Sequence, residues 1–544
     1  MKQKLPTRRM REQPDLEQLK RQAKQLLSAF RAGDSAAIES VNAHYDNAQA
    51  AAFALHDAQL VIARSYGFDS WPKLKAYVDG VTIGRLVEAV RAGDIERVRT
   101  MLKTRPELAD MTVSYGDEHR AIHYAVMHRH PEIVRSLMQN GANARAGIHP
   151  HREATSAWIL AQERGYHEIV AIMEEEEEHR AKSVPDPATA PAPEPGDEAA
   201  RTAVANGDLQ WLRARLAEGK LTNRVRWNDG GLLTVAVRNN RIQVLEFLLE
   251  SGFDPDERVS SGEGDWIAYS QGYPLWYAAA LGRHEMATLL LDRGANPNVH
   301  VDSSGSPVHS AYSHKQWQMV ELLRARGGVV TGDTAALYRQ TDVARQMLID
   351  DEHDALPQSM KPPDKSLAEE LLRFGADGGA TEIVRMSLER IDWPRHDMRW
   401  FRMLASPLSF WHHIPWLYAG NKDFDRESYL ECFCLILNAC DVNIVGSFGR
   451  AILHEIAAMG EWIAEDEVAA FGRAALKAGA RMDRRDDILS STPLGWACRW
   501  GRVQLVRLLM QHGADPDEND AEAWARPRSW ARKMGHNEIV QALK

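Results

Sequence analysis

Ser491-Thr492-Pro493-Leu494-Gly495-Trp496-Ala497-Cys498-Arg499-Trp500-Gly501 is followed by Val503-Gln504-Leu505-Val506-Arg507-Leu508-Leu509 and then by Gly513-Ala514-Asp515-Pro516. The stretch reads as two short helices and a turn. Pro493 sits where a first helical turn has no hydrogen bond to lose. Apolar residues recur three and four apart in the second segment, and Gly513 is placed to end it in a left-handed conformation. The same order of residue types occurs at Pro274-Leu275-Trp276-Tyr277-Ala278-Ala279-Ala280-Leu281-Gly282, Ala287-Thr288-Leu289-Leu290-Leu291 and Gly294-Ala295-Asn296-Pro297-Asn298. Turn glycines Gly294 and Gly327 lie 33 residues apart, and Gly479 and Gly513 lie 34 apart. A unit this small cannot bury its apolar face alone, so neighbouring units must stack. Stacked helix pairs make an extended surface rather than a catalytic pocket.

The bulk composition agrees. The chain has 544 residues, too many for one compact core. Apolar and charged residues, at 44% and 26%, are ordinary for a folded soluble protein. A net charge of -10 argues against a protein that works by neutralising nucleic-acid phosphates. Cys432, Cys434, Cys440 and Cys498 are too few and too clustered for a disulfide framework, so reduced thiols and a cytoplasmic location are expected. No run of 18 apolar residues predicts a membrane span. The first residues hold Lys2, Lys4, Arg8, Arg9 and Arg11 without an acid and read as a disordered basic tail rather than a signal peptide.

Residues 1–13 read as the basic tail and residues 14–80 as a helical leader. In the leader Leu16, Leu19, Ala23, Leu26, Leu27 and Phe30 recur at helical spacing. A first array is expected over 81–180. The stretch 181–197 contains SVPDPATAPAPEPG and reads as an extended linker. A second array spans 198–330. The pattern weakens over 331–445, where Leu367 to Gly375-Ala376-Asp377 reads as a second helix with its turn. Recognisable units return over 446–544.

The phased motifs resemble the ankyrin repeat family. The resemblance lies in the T-P-L-H-x-A start, the V-x-x-L-L run and the G-A-D/N turn, most closely at Thr492-Pro493-Leu494 and Gly513-Ala514-Asp515-Pro516. The family's histidine stands at His123, His309 and His454 and is replaced by Trp276 and Gly495 elsewhere. Nine to eleven units are expected over about three quarters of the chain. The leader is similar to one that precedes repeats in some bacterial ankyrin proteins. The fold implied is an all-α solenoid of helix pairs in two arrays, with short hairpin-like loops and a helical N-terminal cap. The function implied is non-catalytic binding of a protein partner through the concave face and inter-repeat loops. The expected protein is a monomer without cofactor, metal, nucleic acid or membrane. The alternatives are a ligand-binding or enzymatic insert within 333–445, and an exported effector acting on host proteins.

Two places break the repeat and carry aromatic residues. Residues 257–273 exceed the period by about nine residues and hold Trp266, Tyr269 and Tyr273 in a Ser- and Gly-rich context. Such residues anchor interfaces; otherwise Trp266 and Tyr269 fold back on the array. Residues 393–418 hold Trp393, Trp400, Trp411 and Trp416 with Phe401, Phe410 and Tyr418, a partner-binding cluster or a non-standard core. The partner-binding candidates are Trp266, Tyr269, Tyr273, Trp400, Trp411 and Trp416. His119, His123, His128, His130, His149 and His151 cluster in sequence, but His123 is the family's structural histidine and no metal site is expected. Nothing matches a nucleophile elbow, a phosphate loop or a metalloprotease helix.

Overall fold

In the computed structural model, residues 16–45, 48–50, 53–68, 70–78, 80–113, 118–149, 151–183, 195–221, 230–257, 260–261, 268–269, 272–301, 304–357, 360–362, 365–411, 426–460 and 463–544 are described. They are helical apart from one ribbon of two-residue strands and short irregular turns. Residues 184–194, most of the expected linker, lie outside the described residues. None of the described helices is long and apolar enough to cross a membrane.

The repeat at 491–514 shows why this sequence makes a helix pair. Thr492 adopts an extended conformation and its hydroxyl accepts from the Gly495 N–H, capping helix Pro493–Arg499. Leu494, Trp496, Ala497 and Cys498 are buried on that helix, and Leu505, Val506, Leu508 and Leu509 on helix Val503–Gln511. The second helix stops where Gly513 takes φ +91° and the Ala514 N–H bonds back to the Leu509 carbonyl at 3.1 Å. First helices of successive repeats pack side by side, as Pro493–Arg499 does on Pro527–Lys533. Second helices do the same, as Glu465–Lys477 does with Val503–Gln511.

Contacts divide the chain into two compact units. The first comprises Met1–Val113, Arg120–Asn143 and Ala171–Val329. Its leader has four helices, Leu16–Arg31, Ser35–His44, Leu55–Ser65 and Trp71–Val78, around Leu19, Phe30, Val41, Phe53, Val61, Ile62 and Leu74. Gly33 at φ +79° ends the first of these, and Asp34 caps the next through the Ala37 N–H. Arg105 ties the following repeat to this block: it donates to the Val81 carbonyl at 2.9 Å and lies 5.8 Å from the Phe68 ring. Further on come the pairs Leu232–Arg238 with Ile242–Glu250, Tyr273–Ala280 with His284–Asp292, and Pro307–Ser313 with Trp317–Ala325.

The second unit comprises Ser114–His119, Ala144–Val170 and Val330–Lys544. Among its described residues the weak-pattern region carries helix pairs: Gly332–Leu337 with Thr341–Glu352, Leu367–Asp377 with Thr381–Leu388, and Arg399–Ala405 with Glu427–Ala439. This corrects the reading of Leu367–Asp377 as a second helix. It packs on Gly332–Leu337 in the first-helix row, and the chain turns at Gly379, φ +64°, rather than at Gly375. Gly375 is there for space: a Cβ would stand 3.3 Å from Ile383 and 3.4 Å from Val384. The cysteines are free; Cys432 and Cys440 are buried, and burial pushes the Cys440 thiol up to about 12.

The motif histidine has a clear job. His454 is fully buried, its Nδ1 accepts from the Ala451 N–H at 2.9 Å, and its Nε2 faces the Ser491 carbonyl of the next repeat at 3.1 Å. An N–H can only donate, so the proton is on Nε2 and the ring is neutral. Burial holds both His454 and His151 below the ordinary value of 6.5. The unfolded chain therefore takes up protons that the folded chain refuses. The stabilisation is complete above about pH 6.5 and is lost as pH falls below it, at up to ~1.4 kcal/mol per unit for each histidine. Denaturant titrations at pH 7.5 and 5.5 should show this loss; equal midpoints would contradict neutral, buried imidazoles.

Candidate protein-binding surface

The insertion at 257–273 has a rigid base. At its start, Asp254-Pro255-Asp256-Glu257 closes a turn in which the Glu257 N–H donates to the Asp254 carbonyl at 2.8 Å, and Glu257 takes φ +49°. The Glu257 side chain is fully buried at the N-terminus of helix Leu232–Arg238. There it accepts from the backbone N–H groups of Gly231 and Leu233, each at 2.9 Å, and Thr234 at 3.3 Å, and from the Thr234 hydroxyl. A carboxylate satisfies these orphan donors and complements the positive end of the helix. Asp256 accepts from the Asn296 N–H at 2.8 Å in the next turn. At the far end the Gly272 N–H closes onto the Asp256 carbonyl at 2.7 Å. Gly272 has φ +83°, and a Cβ there would meet Val299 at 2.4 Å, so glycine is required twice over.

From this base a two-stranded antiparallel ribbon rises, Ser260 opposite Tyr269 and Ser261 opposite Ala268. Trp266 lies outside the described residues. Tyr269 is on the ribbon. Tyr273, the last residue of the insertion, begins helix Tyr273–Ala280 and is half-buried, with its ring edge-on to Tyr277 at 5.8 Å. Tyr277 lies 5.1 Å from Trp276 and under the Arg238 guanidinium at 5.2 Å. Trp276 in turn meets His314 edge-on at 5.9 Å and donates its indole N–H to the Ser304 carbonyl at 3.0 Å. Three consecutive repeats thus contribute to one aromatic strip that starts at the end of the insertion. Trp317, edge-on to Tyr312 at 5.8 Å, is 56% exposed.

Trp276, Tyr277, Arg238 and His314 were not among the residues expected for the site. Their signal was present: Trp276 fills the position of the motif histidine, and an aromatic there cannot repeat the buried bonds that His454 makes. The other expected cluster is corrected in part. Trp400 is 2% exposed, packs edge-on to Trp393 at 5.0 Å and donates to the Pro394 carbonyl at 3.1 Å. Helix Arg399–Ala405 uses it to fill the core of its repeat, so it is not open to a partner. Trp411 ends a short 3-10 turn, Ser406–Trp411, and Trp416 lies outside the described residues. Of the histidines, His119 packs on Phe448 at 5.0 Å and His128 stacks with His130 at 6.0 Å. Among the described residues no group of three or more His, Cys, Asp or Glu is arranged to hold a metal ion.

A family model for three-copy ankyrin repeats matches residues 233–332 and 425–520, and a single ankyrin repeat matches residues 117–147. The chain is an ankyrin repeat protein. Its similarity to mouse Rabankyrin-5 is 32% identity over 130 residues, 22% of this chain and 11% of that protein. Human palmitoyltransferase ZDHHC13 is 49% identical over 47 residues, 9% of this chain and 8% of that protein. The rice probable E3 ubiquitin-protein ligase XBOS32 is 33% identical over 89 residues, 16% of this chain and 17% of that protein. The chain spans about a tenth of the length of the first relatives it matches, and the activities in those names belong to those proteins. The first three-copy match includes the repeats that carry the aromatic strip.

Proposed function

We propose that the protein is a non-catalytic scaffold that binds a protein partner through the ribbon and the aromatic strip of repeats 230–327. The observation that carries this reading is the continuity of Tyr273, Trp276, Tyr277, Arg238 and His314 beside an insertion whose two ends are pinned. Tyr, Trp and Arg are the residues that most often dominate binding energy. A pinned base limits the entropy lost when the ribbon docks. Matching the repeat family supports protein binding as the task, and the free cysteines support a reducing, cytoplasmic setting.

The test is Trp266→Ala in the full chain, assayed by calorimetry against a partner captured from lysate. Affinity is expected to fall about 30-fold, or ~2 kcal/mol, with the melting temperature nearly unchanged. A lowered melting temperature with affinity intact would make Trp266 a packing residue and defeat the assignment of this face. Turnover of a substrate, abolished by a point change within 391–424, would replace the scaffold reading with an enzymatic insert.

A further inference from the structure

Within the second unit, residues more than 300 positions apart meet around the turn after helix Ala157–Glu163. The Glu163 carboxylate pairs with the Arg499 guanidinium at 2.7 Å, both side chains 8% exposed. Lys533 Nζ donates to the Glu163 backbone carbonyl at 2.9 Å, at the negative end of that helix. The Arg164 guanidinium donates to the Ile488 and Asp487 carbonyls and lies 5.0 Å from the Trp524 ring. His151 meets Trp500 edge-on at 5.6 Å, and its Nε2 is 3.7 Å from Glu455. Trp500 stacks on Trp496 at 4.8 Å and lies under Arg499 at 4.4 Å.

Two features characterise this seam. It is made by side chains and loop carbonyls, and no helix of Ala144–Val170 packs extensively on a C-terminal helix among the described residues. It is also incompletely satisfied: Arg164 Nε and Nη1, Glu163 Oε2 and Arg499 Nε are buried without a hydrogen-bond partner. Leaving such groups unpaired lowers the cost of opening the seam. What it covers is a basic and aromatic face, Arg499 and Lys533 with Trp500 and Trp524, on a chain whose net charge is -10. Arg and Trp in that arrangement are suited to a carboxylate carried at a helix end.

We propose that this face of the C-terminal repeats is a second protein-binding surface, held in the closed state by the chain's own Ala144–Val170 segment, with Glu163 as the internal ligand. A partner that presents an acidic helix end competes with Glu163 and opens the clasp. The proposal concerns a different face from the aromatic strip at 230–327 and does not depend on it.

The test uses the full chain with Glu163→Arg, Arg499→Glu and the two combined. Each single change is expected to raise hydrogen exchange in helix Ala157–Glu163 at least tenfold and to increase acrylamide quenching of tryptophan emission, with helix content unchanged. The charge-swapped double variant should return both close to wild type. A synthetic peptide of residues 144–170 should bind the Glu163→Arg chain at least tenfold more tightly than wild type. Glu163→Gln keeps the side-chain shape and should shift exchange in the same direction, which preserves the test if the reversals fail to fold. Unchanged exchange in the single variants, or no recovery in the swap, would remove the clasp. Failure of the peptide to discriminate the opened chain would remove the binding surface.

Discussion

Leu509→Asp is expected to unfold the C-terminal repeats while leaving the first unit's melting transition in place. Leu509 is fully buried in helix Val503–Gln511, with Leu505 and Val506 on the same face. Its helix packs between the neighbouring second helices Glu465–Lys477 and Asn537–Ala542. The buried side chains that these neighbouring helices offer a new carboxylate are apolar, Val468, Ala469, Phe471, Ala475 and Ile539. The substitution removes apolar burial and adds an unpaired polar group, and together these cost roughly 4–5 kcal/mol or more. Repeat stability is close to a sum of each unit and its nearest neighbours, so the loss acts first on the repeats in contact. Calorimetry should resolve an early transition. The control is Arg507→Asp on the outer face, where Arg507 pairs with Glu538 at 2.7 Å and is 55% exposed. It should move stability by less than ~1 kcal/mol. A single transition at the wild-type temperature for Leu509→Asp would mean that this residue is not in the core.

The helix pairs with the strongest motifs were legible because their physics is local. Thr492, Pro493 and Gly513 specify a cap, a first turn and a left-handed stop within one repeat, and each does that in the structure. Leu367–Asp377 was misread for a reason equally local. Gly375-Ala376-Asp377 has the letters of the turn, but its glycine admits Ile383 and Val384 at close range inside a helix. Sequence spacing does not distinguish a glycine needed for φ from one needed for space. Trp400 shows the same limit, since an aromatic cluster is compatible with a core or a surface until its burial is known.

The candidate surface was half legible. The insertion announced itself as an excess over the period, and Tyr273 is its last residue. The strip formed by Arg238, Tyr277, Trp276 and His314 required three repeats to be stacked in register before the residues became neighbours. The seam around Glu163 was not legible at all, because contacts across 336 residues leave no trace in a 33-residue period. Gly252-Phe253-Asp254-Pro255-Asp256-Glu257 and Gly513-Ala514-Asp515-Pro516-Asp517-Glu518 share one pattern. Both glutamates have positive φ, +49° and +40°. Both turn inward to the N-terminus of their own repeat's first helix, Glu518 onto the Thr492 hydroxyl.

That pattern makes Glu257 the position where stability and binding are joined. Glu257→Ala strands the Gly231, Leu233 and Thr234 N–H groups at a buried helix start and deprives the Thr234 hydroxyl of its acceptor. Charge-assisted bonds to a buried carboxylate are strong, and unmet buried donors are costly, so a loss of roughly 3–5 kcal/mol is expected. Alanine also keeps a Cβ at φ +49°, a strain worth ~1 kcal/mol that glycine relieves. Glu257→Gly should therefore be destabilised by about 1 kcal/mol less than Glu257→Ala, which separates strain from capping. Glu257→Gln keeps the shape but turns an amide N–H₂ toward donors, and should fall between wild type and alanine. Because Glu257 opens the insertion and Asp256 closes its base onto Gly272, partner affinity should fall together with melting temperature in all three. Trp266→Ala should instead lower affinity alone. Melting temperatures of the Glu257 variants within a degree of wild type would show that the carboxylate does not hold the helix start. Loss of stability with affinity intact would show that the ribbon holds its place without this anchor.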